Sequence, residues 1–304
     1  MRAELVAIPQ TGIFALGTGA HAYLEFDLAA SAHALLLVSA AGRISEPRTT
    51  MGGVNVVTGF RPEIWRTAVP NAAPDNLAGF TAPVVGRDGY TMPATQHDLM
   101  LWISGSSYDV VFDTSILVAA ALRDVAVIAD EIVGWTYHRD LDLTGFIDGT
   151  KNPSLSVAPA EVLVPDGLPG AGGSVLLLQK WQHDSPAWTQ LPVGEQEKVI
   201  GRTKPDSVEL DPRPETSHVA RTDQDEFGKI FRRNTPYGSM LDHGTTFVGF
   251  SARQRHLATM LDSMAGVDGE RDVLTRFSRP LSGSYYFVPS LDDLAPFAPP
   301  EEDD

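Results

Sequence analysis

Short stretches of alternating or continuous apolar residues recur along the chain, separated by longer stretches of helical period. Residues 21–27 alternate like a strand, with Ala22, Leu24 and Phe26 against His21, Tyr23, Glu25 and Asp27. An Ala/Leu-rich segment, 28–41, predicts a helix, and 54–57 a second strand. Residues 99–103 predict a third strand, 107–123 a helix and 132–135 a fourth strand. The second half repeats the order. Strands are expected at 175–178, 229–232, 247–250 and 285–288, and a helix at 187–200. Leu257, Met260, Leu261 and Met264 fall at i, i+3, i+4 and i+7, one helix face, and Gly266 is placed to end that helix.

Strand–helix–strand twice in each half predicts an α+β fold, a ferredoxin-like unit in duplicate. The expected halves are 1–145 and 146–304, with the boundary near 140–155. Residues 153–173 and 67–96 are rich in Pro and Gly and predict long surface loops.

Charge narrows the function. With 23 basic and 39 acidic side chains the formal charge is −16, which argues against nucleic-acid or anionic-membrane binding. The last 14 residues hold six carboxylates and no Lys or Arg, so an acidic, solvated tail is expected from about 291. No apolar run nears the 18 or so residues of a membrane span. The start of the chain lacks the pattern of a secretion signal, so a cytoplasmic protein is expected. The absence of cysteine excludes disulfides, thiolate nucleophiles and iron–sulfur clusters.

Three segments carry candidate chemistry. The first is Thr144-Gly145-Phe146-Ile147-Asp148-Gly149-Thr150-Lys151-Asn152-Pro153, where glycines beside a carboxylate let the backbone turn tightly against a flat ligand. On composition alone it reads first as an Asp-Gly turn joining the halves. The second is Arg213-Pro214-Glu215-Thr216-Ser217-His218-Val219, whose imidazole is a possible metal ligand or an ordinary hydrogen-bonded histidine. No HxH or HExxH spacing supports zinc or non-haem iron. The third is 230–238. If it is extended, Ile230, Arg232 and Asn234 share one face. Arg233 then meets solvent or the other layer; if it faces solvent, its loss would cost less than about 0.5 kcal/mol. Nucleotide-binding glycine loops and the Gly-x-Ser-x-Gly elbow are absent.

Taken together these segments resemble the dye-decolourising peroxidases, in particular their bacterial type B members. Gly145-Phe146-Ile147-Asp148-Gly149 matches the family's GxxDG motif, and Thr150-Lys151-Asn152-Pro153 continues it. Residues 200–204, Glu215-Thr216-Ser217-His218, Arg232 with Asn234, Pro236-Tyr237-Gly238 and residues 283–290 follow in the family's order. The resemblance is specific over 135–293 and looser before it.

The resemblance implies a dimeric ferredoxin-like fold binding haem b, mainly in the C-terminal half. It implies a homo-oligomer that reduces hydrogen peroxide through an oxoferryl intermediate at the expense of dyes, phenols or other bulky reductants. His218 falls at the proximal iron ligand, Asp148 at the distal acid and Arg232 at the distal arginine, with Asn234 beside them. Gly149, Thr150 and Lys151 fall where the loop lies against the haem, and Arg202 where a propionate partner is expected. Trp181, Trp135, Tyr137 and Tyr237 are candidates for carrying electrons to the surface. Two other functions remain open: a haem-handling protein that releases iron or delivers haem, and a cofactor-free binding module.

Overall fold

The computed structural model describes residues 7–44 and 53–298. The apolar runs of the first half become β1 (Ala20–Leu28), β2 (Asn55–Phe60), β5 (Leu99–Gly105) and β6 (Ala126–Trp135). Between them lie α1 (Ala34–Gly42), α2 (Pro62–Ala68), a two-stranded hairpin of β3 (Val84–Val85) and β4 (Thr91–Met92), and α3 (Tyr108–Leu122). The 67–96 region is thus mostly irregular, as its prolines require.

The second half opens with α4 (Ala158–Val162), a short helix inside the expected 153–173 loop, and β7 (Ser174–His183). The single helix expected at 187–200 is two, α5 (Ser185–Gln190) and α6 (Val193–Ile200). Pro192 separates them. It has no N–H to give, and it holds Leu191 extended, at ψ 133°. Next come α7 (His218–Arg221), α8 (Gln224–Phe227), β8 (Phe231–Arg232), β9 (Thr235–Gly238), β10 (His243–Ser251), α9 (Gln254–Ala265), β11 (Ser278–Pro280), β12 (Ser284–Val288) and α10 (Leu291–Leu294). α9 buries Leu257, Met260 and Leu261, and Gly266 closes it in the left-handed region at φ 70°.

Ten strands form one antiparallel sheet. In the first half the order is β6-β1-β5-β2, in the second β12-β7-β10-β9. Both are the 4-1-3-2 order of a ferredoxin-like unit. The units join twice, where Phe60 of β2 pairs with Phe287 of β12 and where Gly134 of β6 pairs with Tyr237 of β9. The sheet closes as a barrel. Glycine sits at both seams: a side chain at Gly59 would meet Tyr286, and one at Gly134 would collide with Thr235.

Closure explains why the alternation of β1 does not leave a solvated face. Tyr23, Trp102, Leu176, Phe250 and Tyr286 fill the barrel, while Leu24, Leu101, Leu177 and Trp181 lie under the helices. His21 and Glu25 of β1 are buried too, and of its polar members only Asp27, near the strand's end, is exposed. Trp102 donates from Nε1 to Nδ1 of His21, and burial and the charge of Arg233 push that imidazole down to about 4.

The acidic tail begins later than the composition suggests. Residues 291–294 form α10, capped by Ser290, and Leu294 is buried. Phe297 packs against Gly42, and the backbone N–H of Ile8 donates to Asp292. Apolar anchors at 294 and 297 outweigh the neighbouring carboxylates. Residues 299–304 lie outside the described residues. Among the described residues, no helix is long and apolar enough to cross a membrane.

Candidate functional site

A cavity opens between the outer face of the second unit's strands and α7, α9 and the loop after β6. Asp148, Thr150, Lys151, Arg202, His218, Arg232 and Asn234 all line it. Gly149 does not, and serves the turn instead, at φ 72°.

The loop that carries Asp148 folds on itself before it reaches the cavity. Asp142 N–H donates to Phe146 O, Gly145 N–H returns to Asp142 O at φ 82°, and Asp148 N–H donates to Asp140 O. Asn152 then clamps the loop to β8. Its amide donates to Arg232 O and accepts from Arg232 N–H, both at 2.9 Å. The segment is a turn, and it also aims a carboxylate.

Oδ2 of Asp148 accepts from Asn234 Nδ2 at 2.8 Å, and Oδ1 accepts from Gly149 N–H at 2.7 Å. Arg232 Nη2 lies 3.5 Å from Oδ1. The Asn234 amide is fixed the right way round because its own oxygen accepts from Val248 N–H at 3.0 Å. Acid, arginine and amide therefore form one rigid group, and Arg232 Nε, buried and without a hydrogen-bond partner among the described residues, is left for something in the cavity.

The alternation predicted for 230–234 holds: Ile230, Arg232 and Asn234 face the cavity and Arg233 does not. The solvent-facing option for Arg233 does not hold. Its guanidinium lies inside, 4.9 Å over the Trp102 ring, and donates to the carbonyls of Gly12, Ile13 and Ala15. Burial pushes it down to about 10, so it stays charged at neutral pH. Barrel closure leaves no exposed side for that residue.

His218 is the first residue of α7, with Ser217 as N-cap. Its Nδ1 lies 2.7 Å from Oδ2 of Asp272, which is fully buried and whose other oxygen accepts from Leu274 N–H at 2.8 Å. A carboxylate can only accept, so Nδ1 carries the proton and Nε2 keeps its lone pair for a metal. Asp272, 54 residues downstream, is the partner that sequence reasoning did not find; an Asp opening a short turn carries no signal of it.

Arg202 spends its two Nη groups on Ser207 O and Glu209, while its Nε is buried without a partner. Lys151 also pairs with Glu209, at 3.6 Å. Of the four aromatic candidates only Trp181 lines the cavity. Asp142, His183, Thr245 and Gln179 also line it and were not singled out in the sequence.

The donor set fits a haem. The carboxylate-anchored imidazole of His218 has one bare nitrogen, the buried Nε atoms of Arg202 and Arg232 lack acceptors among the described residues, and Leu177, Phe247 and Met260 add apolar wall.

Comparison with known proteins agrees with this chemistry. Residues 10–136 match the family Dyp-type peroxidase, N-terminal, and residues 139–293 the family Dyp-type peroxidase, C-terminal. The chain is 36% identical over 258 residues to a dye-decolorizing peroxidase of Rhodococcus erythropolis, covering 81% of this chain and 75% of that one. It superposes on a dyp-type peroxidase protein from Shewanella oneidensis with a TM-score of 0.87 at 30% identity, over 97% of this chain and all of that one. A variant of DypB from Rhodococcus jostii RHA1, solved in complex with heme, gives 0.81 at 29% identity over 96% and 97% of the two chains. The chain belongs to the Dyp-type peroxidase family of haem peroxidases.

Proposed function

We propose that this cavity holds haem b, with His218 as the ligand of its iron, and that Asp148 and Arg232 act on hydrogen peroxide. The observation that carries the reading is that one cavity contains both an Asp148–Asn234–Arg232 group and a His218 whose second nitrogen is tied to Asp272. Held by His218, haem would supply the iron that activates hydrogen peroxide.

The residues divide the remaining work. Asp272 holds the His218 ring in one tautomer and makes Nε2 more electron-rich. The Asp148 carboxylate would accept a proton from peroxide and return it to the leaving oxygen. Asn234 and the Gly149 N–H keep that carboxylate in one orientation. The Arg232 guanidinium stands where negative charge develops, in a site with little water to screen it. Arg202 Nε and Lys151 serve the cofactor's carboxylates. Self-association belongs to the same reading: α3 leaves Tyr108, Phe112 and Ile116, four residues apart, on one exposed stripe.

Stopped-flow absorbance on haem-loaded protein tests this. A Soret band and a millisecond spectral change on adding peroxide are expected. A Soret band without the fast change would favour a haem-handling protein, and no Soret band a binding module without cofactor.

The two adjacent arginines separate catalysis from stability. Arg232→Leu is expected to slow the peroxide reaction about a hundredfold, on the order of 3 kcal/mol, with the thermal midpoint nearly unchanged. Arg233→Leu strips three backbone carbonyls of their donor in the barrel. It is expected to cost on the order of 3 kcal/mol of stability while leaving the per-haem peroxide rate within a few-fold. Equal rate losses would show that the face assignment is wrong.

A further inference from the structure

The cavity has a second polar end that the peroxide chemistry above does not use. β7 turns Leu177, Gln179, Trp181 and His183 toward the cavity, one every second residue, so the wall runs from apolar to ionisable. Across the ladder Thr245 of β10 pairs with Trp181. Its hydroxyl donates to Oδ2 of Asp142 at 2.5 Å and lies 3.1 Å from His183 Nε2. A threonine hydroxyl has one proton. Spent on Asp142, it leaves Oγ1 able only to accept from the imidazole. Nε2 therefore carries the ring proton, and neutral His183 keeps a bare Nδ1, which receives no hydrogen bond among the described residues.

Two further features share this end. Gln179 is buried, its oxygen accepts from Trp181 Nε1 at 3.3 Å, and its Nε2 has no acceptor. Trp188 lines the same cavity with its ring edge-on to Phe277 at 5.4 Å, and its Nε1 donates to Thr144 O, two residues from Asp142. An unspent acceptor and an unspent donor thus flank indole surface, an arrangement suited to a flat ring that bears a hydroxyl.

We propose that this end seats an aromatic reductant with an ionisable hydroxyl, and that His183 takes the hydroxyl proton as the electron leaves. The inference rests on the peroxidase reading above. The O–H bond of the donor breaks and an N–H bond forms at His183 Nδ1. The electron goes to the oxidant that the peroxidase activity generates, leaving an aryloxyl radical. Two donors and one peroxide give two radicals and two waters, so atoms and charge balance. Asp142 is set to stabilise the imidazolium through Thr245. Burial alone would raise the Asp142 carboxyl, yet His183 and the hydrogen bonds from Thr245 and Thr144 hold it below its usual value. Burial, with the neighbouring His243, lowers His183 against the pull of Asp142, so at neutral pH it is a free base. Ser185, half-buried on the same cavity, shares a hydrogen bond of 2.6 Å with His243.

The test pairs two donors on the haem-loaded enzyme: guaiacol, which must lose a proton, and ferrocyanide, which has none to lose. His183→Gln is expected to lower the guaiacol-to-ferrocyanide ratio of kcat/KM on the order of 10–100-fold. Ser185→Trp, which narrows the slot without touching the base, is expected to raise KM for guaiacol alone. Calorimetry without peroxide should show guaiacol binding to the unaltered holoenzyme, weaker binding of the hydroxyl-free 1,2-dimethoxybenzene, and weaker guaiacol binding to His183→Gln. An unchanged ratio, or guaiacol binding indifferent to all three changes, overturns this assignment alone. An unaltered enzyme that oxidises neither donor overturns the peroxidase reading and this one with it.

Discussion

His218→Ala is expected to leave the protein almost without haem after reconstitution. The substitution removes the only cavity imidazole whose second nitrogen is anchored by a buried carboxylate. His183 lacks that anchor, since its Nε2 meets only the neutral hydroxyl of Thr245. The loss is compounded at Asp272, which keeps only its bond from Leu274 N–H and becomes a buried charge without its main partner. Asp272→Asn is the milder companion. It keeps a hydrogen-bond acceptor for Nδ1–H but removes the charge, and a weakening of about 10–100-fold in haem affinity is expected. Haem titration followed at the Soret band measures both. Full occupancy and an unshifted band in His218→Ala would remove His218 as the ligand.

Strands were legible because their signal is local. The apolar runs at 99–103 and 175–178 became β5 and β7, longer by a few residues than the runs themselves. The helix at 187–200 failed on one residue, Pro192, whose backbone chemistry overrides the surrounding helical period. The tail failed because two apolar anchors, Leu294 and Phe297, count for more than net charge in deciding where order ends.

The cavity-facing side of 230–234 was legible for the same local reason. Arg232 and Asn234 lie two residues apart on extended chain, and strand alternation separates them from Arg233 without any knowledge of the fold. What alternation could not supply was the environment of the opposite face. Arg233 reaches carbonyls more than 200 residues away in sequence, and only barrel closure brings them there. The His218–Asp272 and Asp142–Thr245 pairs span 54 and 103 residues. A single Asp in a loop gives no sign of such a partner. His218 itself was selected by the family motif, since its residue type alone left an ordinary histidine open.

Asp148→Asn is expected to keep haem and slow the reaction with peroxide by about 10²–10⁴-fold. The amide has the shape of the carboxylate. Its oxygen can still accept from Asn234, while its NH2 must turn away from the Gly149 N–H, a local adjustment that leaves the clamp through Asn152 in place. What is lost is a group that accepts the peroxide proton. One effect works the other way. Without the carboxylate, Arg232 is no longer partly neutralised 3.5 Å away, and its charge acts more fully on the leaving oxygen. The net loss should therefore fall toward the lower end of that range. Asn234 gives an internal check. Alone, Asn234→Ala frees the carboxylate to rotate and is expected to cost about tenfold, a typical coupling within one hydrogen-bonded group. In the Asp148→Asn background there is no base left to orient, and the same change should cost almost nothing. The measurement is the second-order rate constant for peroxide in the four proteins at equal haem loading. A single variant at unaltered speed across pH would show that Asp148 is not the required base. Additive losses in the double variant would show that Asn234 acts on the peroxide independently of the acid.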